Sequence, residues 1–293
     1  MDTRQPGLDH WAAWLLRHRQ GGSEIPDYVQ NQLREMRDRV LDNARLTSTD
    51  TLLDVGCGDG LIGFGALDRL GSDGRVIFSD ISADLLDRCR PIAARLGAVE
   101  RCEFLLAAAD DLAPVPDASV NVVTTRSVLI YVADKLGALR EFHRVLRSAG
   151  RISLFEPINR FTWPEPHGFF YGYDLRPIED LLAKVRAVYD RLETAQSPML
   201  DFDERDLLRF VEEAGFTEVH LDYRVDVEPR TPDDPERFLR SSGNPLVPTL
   251  EEAIGQSLSA EERERFVSSL RPLVEHGTGT RRMAVAFLSA RKT

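Results

Sequence analysis

The chain has 293 residues, of which 42% are hydrophobic and 29% are charged, as is usual for a globular protein. Its formal net charge of -11 argues against a nucleic-acid partner, because binding to phosphates normally requires a basic surface. Three scattered cysteines, no signal-peptide pattern and no apolar run near the roughly 20 residues of a membrane span predict a soluble cytoplasmic protein without a membrane partner.

The first part of the chain has apolar residues at helical spacing, and we predict that residues 1–45 form a separate helical lid. Trp11, Trp14 and Tyr28 lie in this segment. They could exclude water from a bound ligand, or they could form the contact of a homodimer.

From Leu52 onward, short apolar runs alternate with amphipathic stretches, which predicts successive βα units and a parallel sheet. The predicted strands are Leu52–Val55, Val76–Ser79, Cys102–Leu106, Val120–Thr124, Arg151–Phe155, Glu218–Val227 and Met283–Ala290. Two stretches interrupt this rhythm, and we predict mainly helical insertions at about 157–202 and 229–280.

Capping residues and apolar periodicity predict the helices. One is expected to begin at Ser82 and to be kinked or divided by Pro91. Others are expected at 134–147, ended by Gly150, at 203–214, and after the capping box at 259–262. A further amphipathic helix has its apolar face at Ile178, Leu181, Leu182, Val185, Val188 and Leu192.

A ladder of glycines follows the first predicted strand. Gly56, Gly58 and Gly60 would let the backbone turn sharply and approach a nucleotide at the start of the next helix, although a tight turn without a ligand is an alternative. The set Gly58, Gly60 and Gly63 also satisfies the dinucleotide pattern G-x-G-x-x-G. Asp54 favours another cofactor, because a carboxylate repels a pyrophosphate and suits an amino group and a sulfonium.

A second acid, Asp80, ends the strand VIFSD, 20 residues after Gly60. An acid at this place in a βαβ unit can accept hydrogen bonds from both ribose hydroxyls. The alternative is that Asp80 only caps the helix that begins near Ser82.

Taken together, these motifs resemble those of class I S-adenosylmethionine-dependent methyltransferases. Residues 54–60, including Cys57, look like the first motif of that family, and Asp80 with Ile81 looks like its ribose-binding segment. The resemblance implies an α/β, Rossmann-like, seven-stranded and mostly parallel sheet with helices on both faces. It also implies S-adenosyl-L-methionine as cofactor and S-adenosyl-L-homocysteine as product.

The sequence departs from the family pattern after the third strand. Ala108 stands where the family usually has an acid that reads the adenine amino group. Asp110 is the candidate replacement, with the N–H of Ala109 facing the ring. Arg126 is a candidate both for the cofactor site and for binding an acidic group of the acceptor, and a surface salt bridge is its alternative role.

Methyl transfer requires that the acceptor be aligned in a dry pocket, and we expect this pocket beyond the carboxyl ends of strands four and five. Candidate lining residues are Tyr131, Glu156, Asn159, Phe170 and Tyr173. The same aromatic residues could simply pack over a hydrophobic core.

Two further residues of that region could act on a proton. His167 is the candidate general base because the pKa of histidine is near neutral, and Tyr171 is the second catalytic candidate. The histidines share no metal-ligand spacing, so we predict no metal site.

The predicted function is methyl transfer to O, N or C of a small organic acceptor, with secondary metabolites as one candidate class. A protein or RNA methyltransferase is an alternative, which the acidic charge and the stretch TTRS after strand four disfavour. A non-catalytic binding protein that retains the fold is a third hypothesis.

Overall fold

A computed structural model describes residues 7–19, 26–192 and 197–293. The described chain divides into two compact units. The sheet unit contains residues 26–158, 201–224 and 285–293. The helical unit contains the described residues among 1–25, 159–200 and 225–284. None of the helices in these ranges is both long enough and apolar enough to cross a membrane.

The strands lie close to their predicted positions. They are β1 Thr51–Val55, β2 Arg75–Asp80, β3 Cys102–Leu106, β4 Val120–Arg126, β5 Leu146–Pro157, β6 Phe169–Phe170, β7 Tyr173–Asp174, β8 Thr217–Pro229 and β9 Thr280–Arg291.

The α-helices account for most of the remaining regular structure. They are α1 His10–Ala13, α2 Asp27–Ala44, α3 Leu61–Leu67, α4 Ala83–Arg95, α5 Lys135–Val145, α6 Glu179–Asp190, α7 Glu204–Glu213, α8 Pro235–Arg240, α9 Leu250–Ser257 and α10 Ala260–His276. A π-helical turn, Trp14–His18, follows α1 directly.

Seven strands form one sheet in the order β3-β2-β1-β4-β5-β9-β8. The pairs β1–β2, β1–β4, β2–β3 and β4–β5 are parallel, and β5–β9 is antiparallel. This confirms the predicted mostly parallel sheet with an antiparallel strand near its end. The strand order reverses between β1 and β4, and in such sheets ligands bind beyond the carboxyl ends of the strands at this switch point.

Local sequence signals explain where most helices begin. The hydroxyl of Ser82 accepts a hydrogen bond from Leu85 N–H at the start of α4. Asp134 caps α5, and Asp203 forms a capping box at α7. Ser259 forms another capping box at α10. Each of these side chains satisfies a backbone N–H that has no partner within the helix.

Two helix predictions are corrected by the structure. Pro91 does not divide α4, because a proline removes only one intrahelical hydrogen bond and the buried residues of α4 on both sides of it, Cys89 and Ala93, keep their packing. Helix α5 ends at Val145, before the predicted stop at Gly150. The next residue, Leu146, is fully buried and already pairs with β4.

The helical unit has a hydrophobic core of its own. Residues of α6, α8, α9 and α10 pack around fully buried Tyr173, Phe266 and Val185. Leu192, predicted for the apolar face of α6, lies beyond the end of that helix and is 53% exposed. The two predicted insertions therefore share one core, which explains why segments far apart in sequence form one unit.

The predicted lid at residues 1–45 is divided between the two units. Helix α2 belongs to the sheet unit, where the Ser153 hydroxyl donates to the Val40 carbonyl at 2.7 Å and the Arg151 side chain donates to the Ala44 carbonyl. The segment around Trp14 belongs to the helical unit, and the Trp14 indole donates to the Ser242 carbonyl at 2.8 Å.

Candidate functional site

The glycine ladder forms a tight turn at the carboxyl end of β1. Gly56, Gly58 and Gly60 have φ values of 63°, 57° and 84°, which lie in the left-handed region that glycine adopts most easily. A Cβ added at Gly56 would lie 2.4 Å from a methyl carbon of Val128. The packing of Val128 against this turn therefore requires glycine at position 56.

The Asp80 carboxylate holds this turn in place. One of its oxygens accepts a hydrogen bond from Gly58 N–H at 2.8 Å, and the other accepts one from Ser82 N–H at 2.9 Å. Asp80 is only 6% exposed. An acid at this place in a βαβ unit is the type of group that accepts hydrogen bonds from a ribose.

Asp54 lies under the turn and is almost completely buried. Its two oxygens accept hydrogen bonds from the Thr124 hydroxyl and from Gly63 N–H, both at 3.0 Å. Burial raises the pKa of Asp54 to about 7, and these hydrogen bonds oppose that rise. Asp54 thus links β1, β4 and the start of α3, and its hydrogen bonds give it a structural role beside the predicted cofactor role.

Arg126, the last residue of β4, has a buried guanidinium nitrogen. Its Nη1 atom has no hydrogen-bond partner within the described part of the chain. Burial lowers the pKa of Arg126, although Asp59 and Asp54 lie near enough to favour its charged form. A buried, unpaired cationic nitrogen is costly, and an anionic ligand group at this point would satisfy it.

Glu156 has a different position from the one expected for an acceptor contact. It is fully buried, and its oxygens accept hydrogen bonds from the N–H groups of Val128, Leu129 and Ile130 at 3.0–3.3 Å and from the Thr125 hydroxyl at 3.3 Å. Burial raises the pKa of Glu156 to about 7. Because Glu156 orders the segment after β4 and its side chain is not exposed, we exclude it from the acceptor site.

The predicted adenine-binding residues lie after β2 and β3. Ala109 is buried, Asp110 is exposed, and Ala108 forms an isolated bridge with Asp111. Ile81 is 50% exposed although it follows buried Asp80 directly, so it offers an apolar surface next to the ribose acid. Leu106 pairs with Asp80 between β3 and β2 and is 60% exposed. It offers a second apolar surface, which was not among the predicted site residues.

Cys57 lies inside the glycine turn and is 7% exposed. Its thiol and that of Cys89 both face the Gly58 carbonyl, with sulfur–oxygen distances of 3.8 Å and 3.5 Å. Hydrogen bonding to Cys89 and burial raise the pKa of the Cys57 thiol. A neutral thiol at this position contributes to packing of the turn and is a poor nucleophile.

These residues fit S-adenosyl-L-methionine. A ribose would meet the Asp80 carboxylate beside the glycine turn, and a carboxylate would meet the buried Arg126 guanidinium. Within the described ranges, no group of three or more histidine, cysteine, aspartate or glutamate side chains could hold a metal ion.

A cavity of about 260 Å³ lies within the helical unit. It contains three of the predicted acceptor-site residues, Asn159, Phe170 and Tyr171. Its lining residues are Asn159, Thr162, Trp163, Glu165, Phe170, Tyr171, Gly172, Arg186, Tyr189, Asp190, Met199, Leu200, Arg230, Gly243, Asn244, Val247, Thr280 and Arg282. A mixture of aromatic walls and a few charged groups is typical of a small-molecule site.

Tyr171 is held at the cavity in an unusual backbone conformation. Tyr171 and Gly172 connect β6 to β7, and their φ values of 48° and 77° match a hairpin turn that requires positive φ at both positions. The Glu165 carboxylate accepts from both N–H groups at 2.8 Å and 2.7 Å, and Arg230 donates to the Tyr171 carbonyl at 2.9 Å. These hydrogen bonds hold the backbone of Tyr171, which lines the cavity and is 41% exposed.

The remaining predicted acceptor residues do not line this cavity. The His167 side chain is 88% exposed and lies 2.8 Å from Glu179, and Tyr173 is fully buried in the core of the helical unit. Tyr131 lies in the sheet unit near Arg126. Because the His167 side chain is largely exposed to water, it lacks the dry environment expected around a general base.

The fold is that of class I S-adenosylmethionine-dependent methyltransferases. Residues 46–205 match the family model described as a methyltransferase domain. The match spans more than half of the chain, and the chain belongs to this family. The predicted resemblance, enzyme class and cofactor are thereby confirmed.

Named relatives agree with this assignment. The chain is 31% identical over 181 residues to the ubiquinone/menaquinone biosynthesis C-methyltransferase UbiE of Xanthomonas oryzae, covering 61% of this chain and 70% of that protein. It is 33% identical over 122 residues to the arsenite methyltransferase of Halobacterium salinarum, covering 42% and 31%.

A solved structure shares the fold over most of the chain. It is the geranyl diphosphate C-methyltransferase of Streptomyces coelicolor, in complex with Mg²⁺, geranyl diphosphate and S-adenosyl-L-homocysteine. The TM-score is 0.53 at 18% identity, with 94% of this chain and 87% of that chain covered.

Proposed function

We propose that this methyltransferase methylates a small organic acceptor that binds in the cavity of the helical unit, and that the cofactor binds at the glycine turn. The observation that carries this proposal is the geometry of Asp80 and Arg126. Asp80 fixes the turn through Gly58 and carries a carboxylate at the end of β2, and Arg126 has a buried nitrogen without a partner among the described residues.

The cofactor supplies a methyl group already activated on a sulfonium, so the protein mainly has to bind and orient. Asp80 accepts the ribose hydroxyls, Arg126 pairs with the methionine carboxylate, and Ile81 packs against the adenine ring. Asp110 and the N–H of Ala109 remain the proposed contacts of the adenine amino group. Orientation of this kind can supply much of the rate enhancement of a displacement reaction.

Tyr171 is the proposed residue for handling a proton of the acceptor. Its backbone is held by Glu165 and Arg230, and its ring packs edge-on against Phe170 and Phe238. His167 is left out because its side chain is 88% exposed. Asn159 and Phe170 are the proposed lining residues of the acceptor pocket.

The atom that receives the methyl group stays open between O, N and C. The relative from Xanthomonas oryzae is by name a C-methyltransferase, whereas that from Halobacterium salinarum methylates arsenite. Related sequences therefore use different acceptor atoms, and the similarity favours a small acceptor without selecting the atom.

The test uses cofactor labelled in the methyl group. The protein is incubated with S-adenosyl-[methyl-¹³C]methionine and a small-molecule extract of its source, and labelled products are identified by mass spectrometry. We expect a labelled small molecule that disappears with Asp80→Ala and decreases with Tyr171→Phe. Label found only in protein or RNA would contradict the proposal.

The homodimer and the amino-terminal lid remain proposals. Trp14 makes its indole hydrogen bond to Ser242 of its own chain, so this N–H has a partner without a second subunit. Light scattering after size exclusion would give the mass in solution. A mass of about 33 kDa, the mass of one chain, would contradict the dimer.

A further inference from the structure

The cavity of the helical unit is positively charged in a strongly acidic protein. Its described lining residues include three arginines, Arg186, Arg230 and Arg282, and two acids, Glu165 and Asp190. The lining therefore has an excess of one positive charge, although the chain as a whole has a net charge of -11. A local reversal of charge in a concave site favours a ligand of the opposite sign.

The carboxylate of Glu165, which lies near the cavity arginine Arg186, already accepts hydrogen bonds. Both Glu165 oxygens accept backbone hydrogen bonds from Tyr171 and Gly172, and one of them lies 3.8 Å from an Arg186 nitrogen. Glu165 thus compensates part of the charge of Arg186 and leaves the other two arginines without this compensation.

Arg186 has hydrogen-bonding capacity that is not used. One terminal nitrogen donates to the Phe169 carbonyl, but the Nε atom is buried and has no partner within the part of the chain that the structure describes. A buried N–H of a guanidinium without an acceptor is unfavourable unless a ligand supplies one.

Arg230 and Arg282 both lie over aromatic rings, and Arg230 also donates to the Tyr171 carbonyl. The Arg230 guanidinium carbon is 4.8 Å from the Tyr173 ring centroid, and that of Arg282 is 5.2 Å from the Phe161 ring centroid. Within the described residues, no carboxylate lies within ion-pair distance of either arginine. Stacking on a ring leaves the edge of a guanidinium available for bidentate pairing with an anion.

The remaining walls suit an apolar body. Trp163, Phe170 and Tyr189 line the cavity together with Met199 and Val247. Rings and aliphatic side chains of this kind bury apolar surface of a ligand, and the volume of about 260 Å³ corresponds to a small organic molecule.

We propose that the cavity binds a small organic anion, in which a carboxylate or phosphate pairs with Arg282 and Arg186 while an aromatic or other apolar body packs on the rings. This inference rests on the proposed function, because it defines the chemical class of the methyl acceptor.

The test compares three probes with the same ring system and different head groups: 2-naphthoate, 2-naphthyl phosphate and neutral 2-naphthamide. Each is titrated calorimetrically into the full-length protein saturated with S-adenosyl-L-homocysteine. The variants are Arg282→Gln and, as matched control, Arg281→Gln. Arg281 precedes Arg282 in β9, does not line the cavity, and lies 4.0 Å from Glu228.

In the wild-type protein we expect at least one of the two anions to bind about tenfold more tightly than the amide, since charge-assisted hydrogen bonds are lost with the neutral head group. Arg282→Gln should remove most of this preference, and Arg281→Gln should retain it. The stronger of the two anions identifies the head group as carboxylate or phosphate.

Equal affinity for anions and amide, no binding of either anion, or an unchanged preference in Arg282→Gln would overturn the inference. Saturation with S-adenosyl-L-homocysteine is measured first, in the same cell. A protein that binds this product but shows no preference for anions refutes only the anionic acceptor. A protein that binds no S-adenosyl-L-homocysteine refutes the proposed function itself.

Discussion

The Asp80 carboxylate accepts a hydrogen bond from the backbone N–H of Gly58 at 2.8 Å, across 22 residues of sequence. The acid proposed to bind the ribose is therefore the same group that fixes the glycine turn. Cofactor affinity and the shape of the turn should consequently change together when Asp80 is replaced.

Asp80→Ala should weaken binding of S-adenosyl-L-homocysteine by about 100-fold, because it removes a charged acceptor for two hydroxyls and releases the turn. Isothermal titration calorimetry measures this directly. Asp87→Ala is the control, since Asp87 is an exposed carboxylate on α4 that pairs only with Arg90 at 3.3 Å among the described residues. An affinity of Asp80→Ala within twofold of the control would refute the role of Asp80.

Arg126 should recognise the amino-acid part of the cofactor. Arg126→Gln is expected to lower affinity for S-adenosyl-L-homocysteine by about tenfold or more, because an ion pair in a buried site is lost. Affinity for 5′-methylthioadenosine, which has the nucleoside but no carboxylate, should change little. If both ligands lose affinity equally, Arg126 acts on the turn and not on the carboxylate.

Much of the fold could be predicted from the sequence because its signals are local. The strands are apolar runs bounded by turn residues, and Ser82, Asp134, Asp203 and Ser259 start the helices that they were expected to start. The glycine turn and Asp80 were likewise identified by their spacing.

The remaining features depend on contacts that sequence spacing does not encode. Glu156 binds N–H groups 26 to 28 residues earlier in the chain, so its burial is not evident from its position after β5. Tyr171 N–H donates to Glu165 in its positive-φ turn, and the arginines of the cavity come from α6, from the loop after β8 and from β9. For His167 the sequence predicted a general base from residue type and location, but its side chain is exposed in the structure.

Glu156 should make stability depend on pH. Burial raises its pKa from 4.5 to about 7 in the folded protein, so between these values the folded state holds a proton that the unfolded chain has released. Stability from this group therefore falls as pH rises through this window, by at most about 3 kcal/mol.

The Glu156→Gln variant has no ionisable group at this position. Relative to the wild type, the variant should gain stability between pH 5 and pH 8 in urea unfolding. The pKa of Asp54 is also raised, but Asp54 is present in both proteins, so its contribution to the pH dependence cancels in the comparison. Parallel pH curves for the two proteins would show that Glu156 does not titrate in this range.

The turn that holds Tyr171 should tolerate no side chain at Gly172. Gly172 has a φ of 77°, and an added Cβ would lie 1.8 Å from the Thr280 carbonyl oxygen. Gly172→Ala should therefore destabilise the protein by about 2 kcal/mol or more, seen as a lower Tm.

The matched control is Gly243→Ala. Gly243 also lines the cavity, but an added Cβ would meet nothing within 4 Å. Its Tm should stay within about 2 °C of the wild type. Equal effects of the two substitutions would mean that the Tyr171 turn is not constrained as described.

The glycine turn is expected to bind S-adenosyl-L-methionine, and binding of the product S-adenosyl-L-homocysteine measures this most directly. Titration of S-adenosyl-L-homocysteine into the wild-type protein by calorimetry should give saturable binding of one molecule per chain. Absence of binding at about 1 mM ligand, where even a Kd near 1 mM would be detected, would contradict the account.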